Sequence, residues 1–134
     1  MRQNISSGTK WEKIAGYSRA VRVGQMVYVS GTTAIDEDGQ VVGLDDVYAQ
    51  SHFILGKIQQ ALEAAGASMA DVVRTRIYLT QIARWEEAAR AHAEYFGDVL
   101  PTNTLIGIDA LVGAGYLVEI EAEAIIGAGD DGAI

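Results

Sequence analysis

The segment from Asp71 to Thr80 alternates strictly between two kinds of side chain. One set consists of Val73, Thr75, Ile77 and Leu79, and the other consists of Val72, Arg74, Arg76 and Tyr78. Because successive residues of a strand point to opposite faces of a sheet, this pattern predicts a β-strand. One face of that strand is suited to a core, and the other is half cationic.

Helical periodicity occurs on both sides of this strand. The first helix is predicted from about Asp45 to Gly66, where apolar or small residues recur every three or four positions. Acidic residues at its start suit the positive end of a helix, and the glycine is a natural stop. The second helix is predicted from about Ala83 to Val99 and ends before Pro101. Its predicted buried stripe consists of Trp85, Ala89, His92 or Ala93, and Phe96.

Four further strands are expected. Val21–Val23 and Val27–Val29 are separated by Gly24-Gln25, which predicts a hairpin with glycine at the first turn position. Thr104–Ile108 and Leu117–Ile126 supply the last two strands. The short segment from Trp11 to Tyr17 is a candidate edge strand.

The resulting order, β-β-α-β-α-β-β, favours an α+β sandwich. Two helices cannot cover both faces of the sheet, so both are expected on one face. A chain of 134 residues is long enough for one domain. That domain is assigned to residues 11–126, with a loosely ordered segment at residues 1–10 and a disordered tail at residues 127–134. The uncovered face leaves much apolar area exposed, which favours self-association.

Charge and composition exclude several classes of protein. The formal net charge of −8 argues against nucleic-acid binding, because phosphate backbones attract a basic surface. No cysteine is present, so disulfides and thiolate chemistry are excluded. No apolar run approaches the length of a membrane span, and the N-terminus lacks the pattern of a signal peptide. We therefore expect a cytoplasmic protein without membrane association.

Most isolated motifs favour ordinary structural roles. His52 and His92 lie on different predicted helices without acidic neighbours at ligand spacing, which argues against a zinc site. Ser30 has no evident histidine partner for nucleophilic catalysis. The sequence from Asp36 to Gly39 lacks the full ligand spacing of a calcium loop, and Gly113 to Gly115 lack the context of a phosphate loop. No metal site is predicted.

The stretch from Leu100 to Ala124 offers a candidate site. Two strands joined by a loop would bring Asn103 and the glutamates of the last strand to one rim of the sheet. The glutamates project from one side of that strand, and they are Glu119, Glu121 and Glu123. For the three glutamates as a group, the favoured interpretation is that they are solvated or paired with Arg74 and Arg76. Glu119, nearest the strand start, is the candidate general base.

Several collinear segments together carry a resemblance to a known family. They are Ala15–Val21, Val27–Gly31, Asp71–Thr75, Tyr95–Gly97, Leu100-Pro101 and Leu117–Ala122. Their order and spacing between Trp11 and Ile126 resemble the RidA/YjgF family, whose older label is endoribonuclease L-PSP or translation inhibitor.

This resemblance implies a chorismate-mutase-like fold assembled as a homotrimer, with small-molecule clefts between neighbouring subunits. Active members of the family hydrolyse reactive enamines and imines to ketoacids and ammonia without a metal or organic cofactor. Tyr17, Ser30, Gly31 and Glu119 match site positions of the family, where the glutamate helps to position water.

Asn103 departs from that pattern, because it occupies the position of the family's carboxylate-binding arginine. Arginine offers a charged, bidentate fork, whereas asparagine offers a neutral amide. The expected substrate is therefore an imine, enamine or amide-like metabolite other than a simple 2-iminoacid. Glu119 would orient water for its hydrolysis, and Asn103 would hold a carbonyl or amide group.

Two alternatives remain open. A noncatalytic metabolite-binding or chaperone-like trimer is compatible with the missing arginine. An endoribonuclease or translation inhibitor follows only from the family's older label, and the acidic charge and lack of a histidine pair argue against it.

Overall fold

A six-stranded mixed sheet carries two long helices on one face in the structure, a computed structural model that describes residues 1–131. The strands are β1 (Arg2–Ile5), β2 (Ala20–Val23), β3 (Met26–Thr32), β4 (Val72–Leu79), β5 (Thr102–Gly107) and β6 (Val118–Ile125). The helices are α1 (Lys10–Ala15), α2 (Val47–Ala64) and α3 (Trp85–Phe96). The predicted α+β class, with both long helices on one face, is confirmed.

The strand order across the sheet is β1-β2-β3-β6-β4-β5. Strands β4 and β5 pair in parallel, and the other neighbours pair antiparallel. Helix α3 forms the crossover between β4 and β5, as a parallel pair requires. Strands β5 and β6 are therefore not neighbours, although they follow each other in sequence.

Local sequence signals explain the best-predicted elements. The Asp46 carboxylate caps α2 by accepting a hydrogen bond from the backbone N–H of Ala49 at 2.9 Å. Beyond the helix, Gly66 has a φ of 90°, a conformation that glycine adopts without steric cost. Gly24 has a φ of 60° in the two-residue turn between β2 and β3, so the predicted hairpin is confirmed.

The core lies between the sheet and the two long helices. On β4, Thr75, Ile77 and Leu79 are buried as the alternation predicts. A bulge between Val72 and Arg74 interrupts the alternation of side chains at the start of β4. As a result Val72 faces the core, and Val73 does not. The largest fully buried side chains include Ile54, Leu55, Ile58 and Leu62 of α2. Burying one such side chain contributes about 1.5–3 kcal/mol.

The N-terminal segment differs from the expectation. Residues 1–10 were expected to be loosely ordered, yet Arg2–Ile5 form the edge strand β1, paired with β2. The candidate strand from Trp11 to Tyr17 is wrong, because Lys10–Ala15 form α1. The buried Glu12 carboxylate holds this region together by accepting hydrogen bonds from three residues before it: Ser6, Ser7 and Thr9.

The C-terminal segment also differs in part. Ala128–Asp131 form a short 3₁₀ helix where disorder was expected. Asp71 Oδ1 accepts hydrogen bonds from the backbone N–H groups of Gly127 and Gly129, at 3.2 and 3.0 Å. Residues 132–134 of the expected tail lie outside the described residues.

Helix α3 buries Phe96 as predicted, but the rest of its buried stripe differs from the prediction. It buries Ala88, Ala91 and Phe96, whereas Trp85 is 49% exposed. Small residues allow the helix to lie close to its neighbours, which the prediction from large side chains overlooked. None of the helices within residues 1–131 is long and apolar enough to cross a membrane.

Candidate functional site

The face of the sheet opposite the helices carries the glutamates of β6. Arg76 Nη1 lies 3.3 Å from Glu121 Oε1 and 3.2 Å from Glu123 Oε1. The Tyr78 hydroxyl donates a hydrogen bond to Glu121 at 2.7 Å. The interpretation of these glutamates as partners of the β4 cations is therefore confirmed for Arg76. Glu119 forms no ion pair with the described residues.

A β-bulge at Ser30 and Gly31 lies beside Glu119. Val29 pairs with Ala122 and Thr32 with Ile120, so β3 has one residue more than β6 in this interval. Such a bulge bends the strand and redirects its side chains. The Ser30 hydroxyl donates to the carbonyl of Ser18 at 2.7 Å.

Glycine at position 31 allows the Glu119 carboxylate to approach the backbone closely. A Cβ atom built on Gly31 would lie 2.8 Å from Glu119 Oε1, closer than real Cβ atoms come. The two predicted site residues are therefore coupled: Glu119 can occupy its observed position only because residue 31 has no side chain.

An open cavity of about 420 Å³ brings most of the predicted site residues together. Its lining consists of Tyr17, Ser30, Gly31, Tyr78, Glu119 and Glu121. The sequence reasoning missed Tyr78 and Glu121 as site residues. The β4 alternation carried a signal for Tyr78, because it placed this side chain on the polar face, where Tyr78 pairs with Glu119 in the register.

Burial raises the pKa of the Glu119 carboxyl. The positive charge of Arg19 opposes this effect in part, and the negative charge of Glu121 adds to it. A carboxylate with a raised pKa is a stronger base, and its protonated form persists to a higher pH than that of an ordinary carboxyl. Glu119 is therefore the group in this cavity best suited to proton transfer.

Arg19 contacts the backbone of the site residue Gly31. The sequence reasoning missed it. Its Nη2 donates a hydrogen bond to the carbonyl oxygen of Gly31 at 2.6 Å, and its guanidinium lies 5.9 Å from the centre of the Tyr17 ring. Only 7% of the residue is exposed. An arginine is rarely so deeply buried, and sequence alone gave no signal for it.

Asn103 lies on the other face of the sheet from Glu119. It pairs with Thr75, and its Nδ2 donates to the Thr75 hydroxyl oxygen at 3.0 Å. The same oxygen lies 2.7 Å from Nε2 of His92 on α3, and burial lowers the pKa of this histidine. The expectation that Asn103 and Glu119 share one rim is wrong within a single chain, because β4 separates their strands and Asn103 projects toward the helices.

No group of three or more His, Asp or Glu side chains in the described part of the chain is arranged to hold a metal ion. The acidic turn at Asp36 is stabilised internally, since its carboxylate accepts hydrogen bonds from the backbone N–H groups of Asp38 and Gln40.

Comparisons with known proteins place these features in context. The family model described as Endoribonuclease L-PSP matches residues 8–126. An uncharacterised protein of Streptomyces coelicolor is 35% identical over 128 residues, which cover 96% of this chain and 95% of that protein. A RutC family protein of Pyrococcus abyssi is 34% identical over 110 residues, covering 81% of this chain and 85% of its own.

A solved structure from Mycobacterium tuberculosis is also similar. That protein is described as a member of the YjgF/YER057c/UK114 family. It superimposes with a TM-score of 0.86 at 46% identity, covering 94% of this chain and 100% of the other.

Proposed function

Because the chain belongs to the endoribonuclease L-PSP family, also called the RidA/YjgF family, we propose that it is a RidA-like homotrimer that hydrolyses a small C–N compound. Its substrate is an imine, enamine or amide-like metabolite other than a simple 2-iminoacid. The substrate occupies a cleft between subunits, and no metal or organic cofactor takes part.

The half-buried Glu119 carboxylate in the 420 Å³ cavity carries this proposal. In hydrolysis of an imine, Glu119 accepts a proton from water as the water oxygen adds to the carbon of the C=N bond. Glu119 gives that proton to the nitrogen, which forms a carbinolamine. The carbinolamine hydroxyl then supplies a second proton to the nitrogen as the C–N bond breaks, leaving a carbonyl compound and ammonia. The raised pKa lets one carboxyl serve both proton transfers.

The position of Asn103 supports a cleft shared between subunits. Asn103 is exposed on β5, which is an edge strand. A neighbouring subunit that lays its own β5 edge beside this chain's open face would bring its Asn103 toward this chain's Glu119. Apolar side chains on the open face favour such contact, since Tyr28 and Ile106 are each 43% exposed.

The chemistry of Asn103 supports a substrate without a carboxylate at that end. Its amide already donates one hydrogen bond to Thr75, which leaves the Oδ1 acceptor and one N–H. A carboxylate would gain no charge-assisted pair from this group, whereas a carbonyl or amide would find a suitable partner.

Release of ammonia tests the proposal. Imines are generated in situ from an amino acid and from the matched amine that lacks the carboxylate, and turnover is compared for the native protein and Glu119→Gln. We expect acceleration of the carboxylate-free imine that the substitution abolishes. Equal or greater native turnover of the 2-iminoacid would contradict the proposed substrate class, and sedimentation as a monomer would contradict the shared cleft.

A noncatalytic metabolite-binding or chaperone-like trimer is the second candidate. It is favoured because Asn103 carries no positive charge where the family has its carboxylate-binding arginine. It predicts that no C–N compound is turned over and that Glu119→Ala leaves ligand binding intact. RNA cleavage, which the family's description names, is the third and least favoured. Cleavage by nuclease-free protein that is lost in Glu119→Ala would support it.

A further inference from the structure

A second and larger cavity, of about 740 Å³, lies on the helix side of the sheet. It is bounded by α2, the N-terminal segment, the loop after β3 and one residue of α3. Its walls combine apolar and aromatic side chains, among them Ile5, Ile35, Phe53 and Tyr95, with polar and charged side chains from the N-terminal segment and the loop after β3. It shares no lining residue with the cavity at Glu119.

Lys57 of α2 lines this cavity and is held in an unusual environment for a lysine. Its Nζ donates hydrogen bonds to the carbonyl oxygens of Thr33 and Ile35, at 3.1 and 3.0 Å, and lies 5.9 Å from the centre of the Phe53 ring. Among residues 1–131, no carboxylate forms an ion pair with it. Lys57 is therefore a half-buried amine without the ion-pair partner that desolvated charges usually have.

The hydrogen bonds of Lys57 to the protein need only two N–H groups, one for each carbonyl. An ammonium has three N–H groups, and a neutral amine has two N–H groups and a lone pair. Loss of one proton from Lys57 therefore removes no hydrogen bond to the described residues and leaves a lone pair free.

The electrostatics of the site point the same way. Burial, and then the charge of Arg19, lowers the pKa of Lys57 from 10.5 to about 8, while Asp36 opposes this. At pH 7 about a tenth of Lys57 is then neutral, against fewer than about one in a thousand for a lysine with the ordinary value. The other titratable groups that line the cavity are Glu37, Asp38, His52 and Tyr95.

We propose that Lys57 is a nucleophilic amine that forms imines with small apolar aldehydes or ketones bound in the helix-side cavity. The nitrogen lone pair adds to the carbonyl carbon, and the carbonyl oxygen leaves as water with one proton from solvent and one from the amine. The resulting iminium keeps one N–H, which can donate to one of the two backbone carbonyls.

Reductive trapping on the intact chain tests this proposal. Benzaldehyde and sodium cyanoborohydride are added at pH 7, and the modified residues are located by peptide mass mapping. The chain has three lysines, so Lys10 and Lys13, both exposed on α1, serve as internal controls. The mapping also distinguishes modification of the α-amino group of Met1 from modification of the lysines.

We expect trapping at Lys57 to be on the order of tenfold faster than at Lys10 or Lys13, because its neutral fraction is larger. The rate at Lys57 alone should saturate with aldehyde, rise with pH to a midpoint near 8, and fall when benzyl alcohol competes for the cavity. Lys57→Arg keeps donors for the two carbonyls and should fold with an unchanged melting temperature while losing this label. Trapping at Lys57 that is no faster than at the exposed lysines would overturn the proposal and leave Lys57 as a clamp on the loop after β3.

Discussion

Asn103 and Glu119 face opposite sides of one sheet. Asn103 donates to Thr75 on the side of the helices, whereas Glu119 lies against Gly31 on the open side. One chain cannot present both side chains to the same small molecule. The proposed cleft therefore depends on Glu119 from one subunit and Asn103 from its neighbour, and changes at the two positions should affect different steps.

Glu119→Gln should abolish most turnover, because the amide keeps the shape of the side chain but cannot accept a proton. The expected loss is about 10²–10⁴-fold in kcat for ammonia release. Glu123→Gln is the matched control, since Glu123 pairs with Arg76 on the same strand face but does not line the cavity. Equal activity of Glu119→Gln and the native protein would remove Glu119 from the mechanism.

Asn103→Arg should increase kcat/KM for 2-iminoacids by about tenfold or more. A charge-assisted hydrogen bond is worth about 1.5–3 kcal/mol, and each 1.4 kcal/mol is a factor of ten. Asn103→Gln controls for side-chain length without adding charge. If both variants behave alike, the charge at this position does not select the substrate.

Gly31→Ala should reduce activity more than stability. The added methyl group would overlap the Glu119 carboxylate, which must then move away from its position in the cavity. Because the side chain of Glu119 is flexible, the cost in the free energy of unfolding, measured by urea denaturation, should be at most about 1 kcal/mol, the low end for overpacking. Gly56→Ala on α2 is the control, because its Cβ would meet the Tyr95 hydroxyl at an ordinary 3.5 Å. Full activity in Gly31→Ala would show that the close approach is not required.

Arg19→Gln should move the acidic limb of the pH–rate profile to higher pH. The positive charge of Arg19 lowers the pKa of Glu119, so its removal raises that pKa further above the ordinary value. A general base is active when ionised, and its activity falls as pH drops through its pKa. If the pKa of Glu119 is higher, this fall begins at a higher pH. Arg19→Lys keeps the charge and should leave the limb in place. A shift of equal size in both variants would assign the effect to lost packing around Gly31.

The elements that the sequence predicted well are those that local chemistry determines. Helix α2 has a capping aspartate and a terminal glycine, and the β2–β3 hairpin has glycine at the turn position that needs it. Strand β1 was missed because its residues are polar and are held by the unpaired edge of β2, which no local pattern reveals. The neighbours of β5 were also hidden, since they depend on the crossover through α3.

For the candidate site, the resemblance supplied what periodicity could not. Tyr17, Ser30, Gly31 and Glu119 lie far apart in sequence, and only a family pattern joined them before the structure brought them to one cavity. Arg19 was missed because its burial is a property of the folded state. The face to which Asn103 projects was missed because it depends on the pairing of β5 with β4.

Asp71→Asn should destabilise the protein at neutral pH but not in acid. Burial raises the pKa of Asp71, yet the backbone hydrogen bonds from Gly129, Ser68 and Gly127 together outweigh that effect and hold the pKa below its ordinary value of 3.8. A carboxyl whose pKa is lower in the folded state contributes stability above its unfolded pKa, and this contribution is lost as pH falls through the folded value. Hydrogen bonds to a charged group suggest a cost of about 1.5–3 kcal/mol at pH 7, measured by urea denaturation.

The difference between Asp71→Asn and the native protein should shrink as pH falls below the ordinary value of 3.8 and continue to shrink as pH falls through the lowered pKa of folded Asp71. Asp98→Asn, at an exposed position after α3, controls for the change in net charge and should have little effect at pH 7 or pH 2. A loss of stability in Asp71→Asn that is the same at pH 7 and pH 2 would show that the geometry of the hydrogen bonds, and not the charge of Asp71, holds the C-terminal 3₁₀ helix against the start of β4.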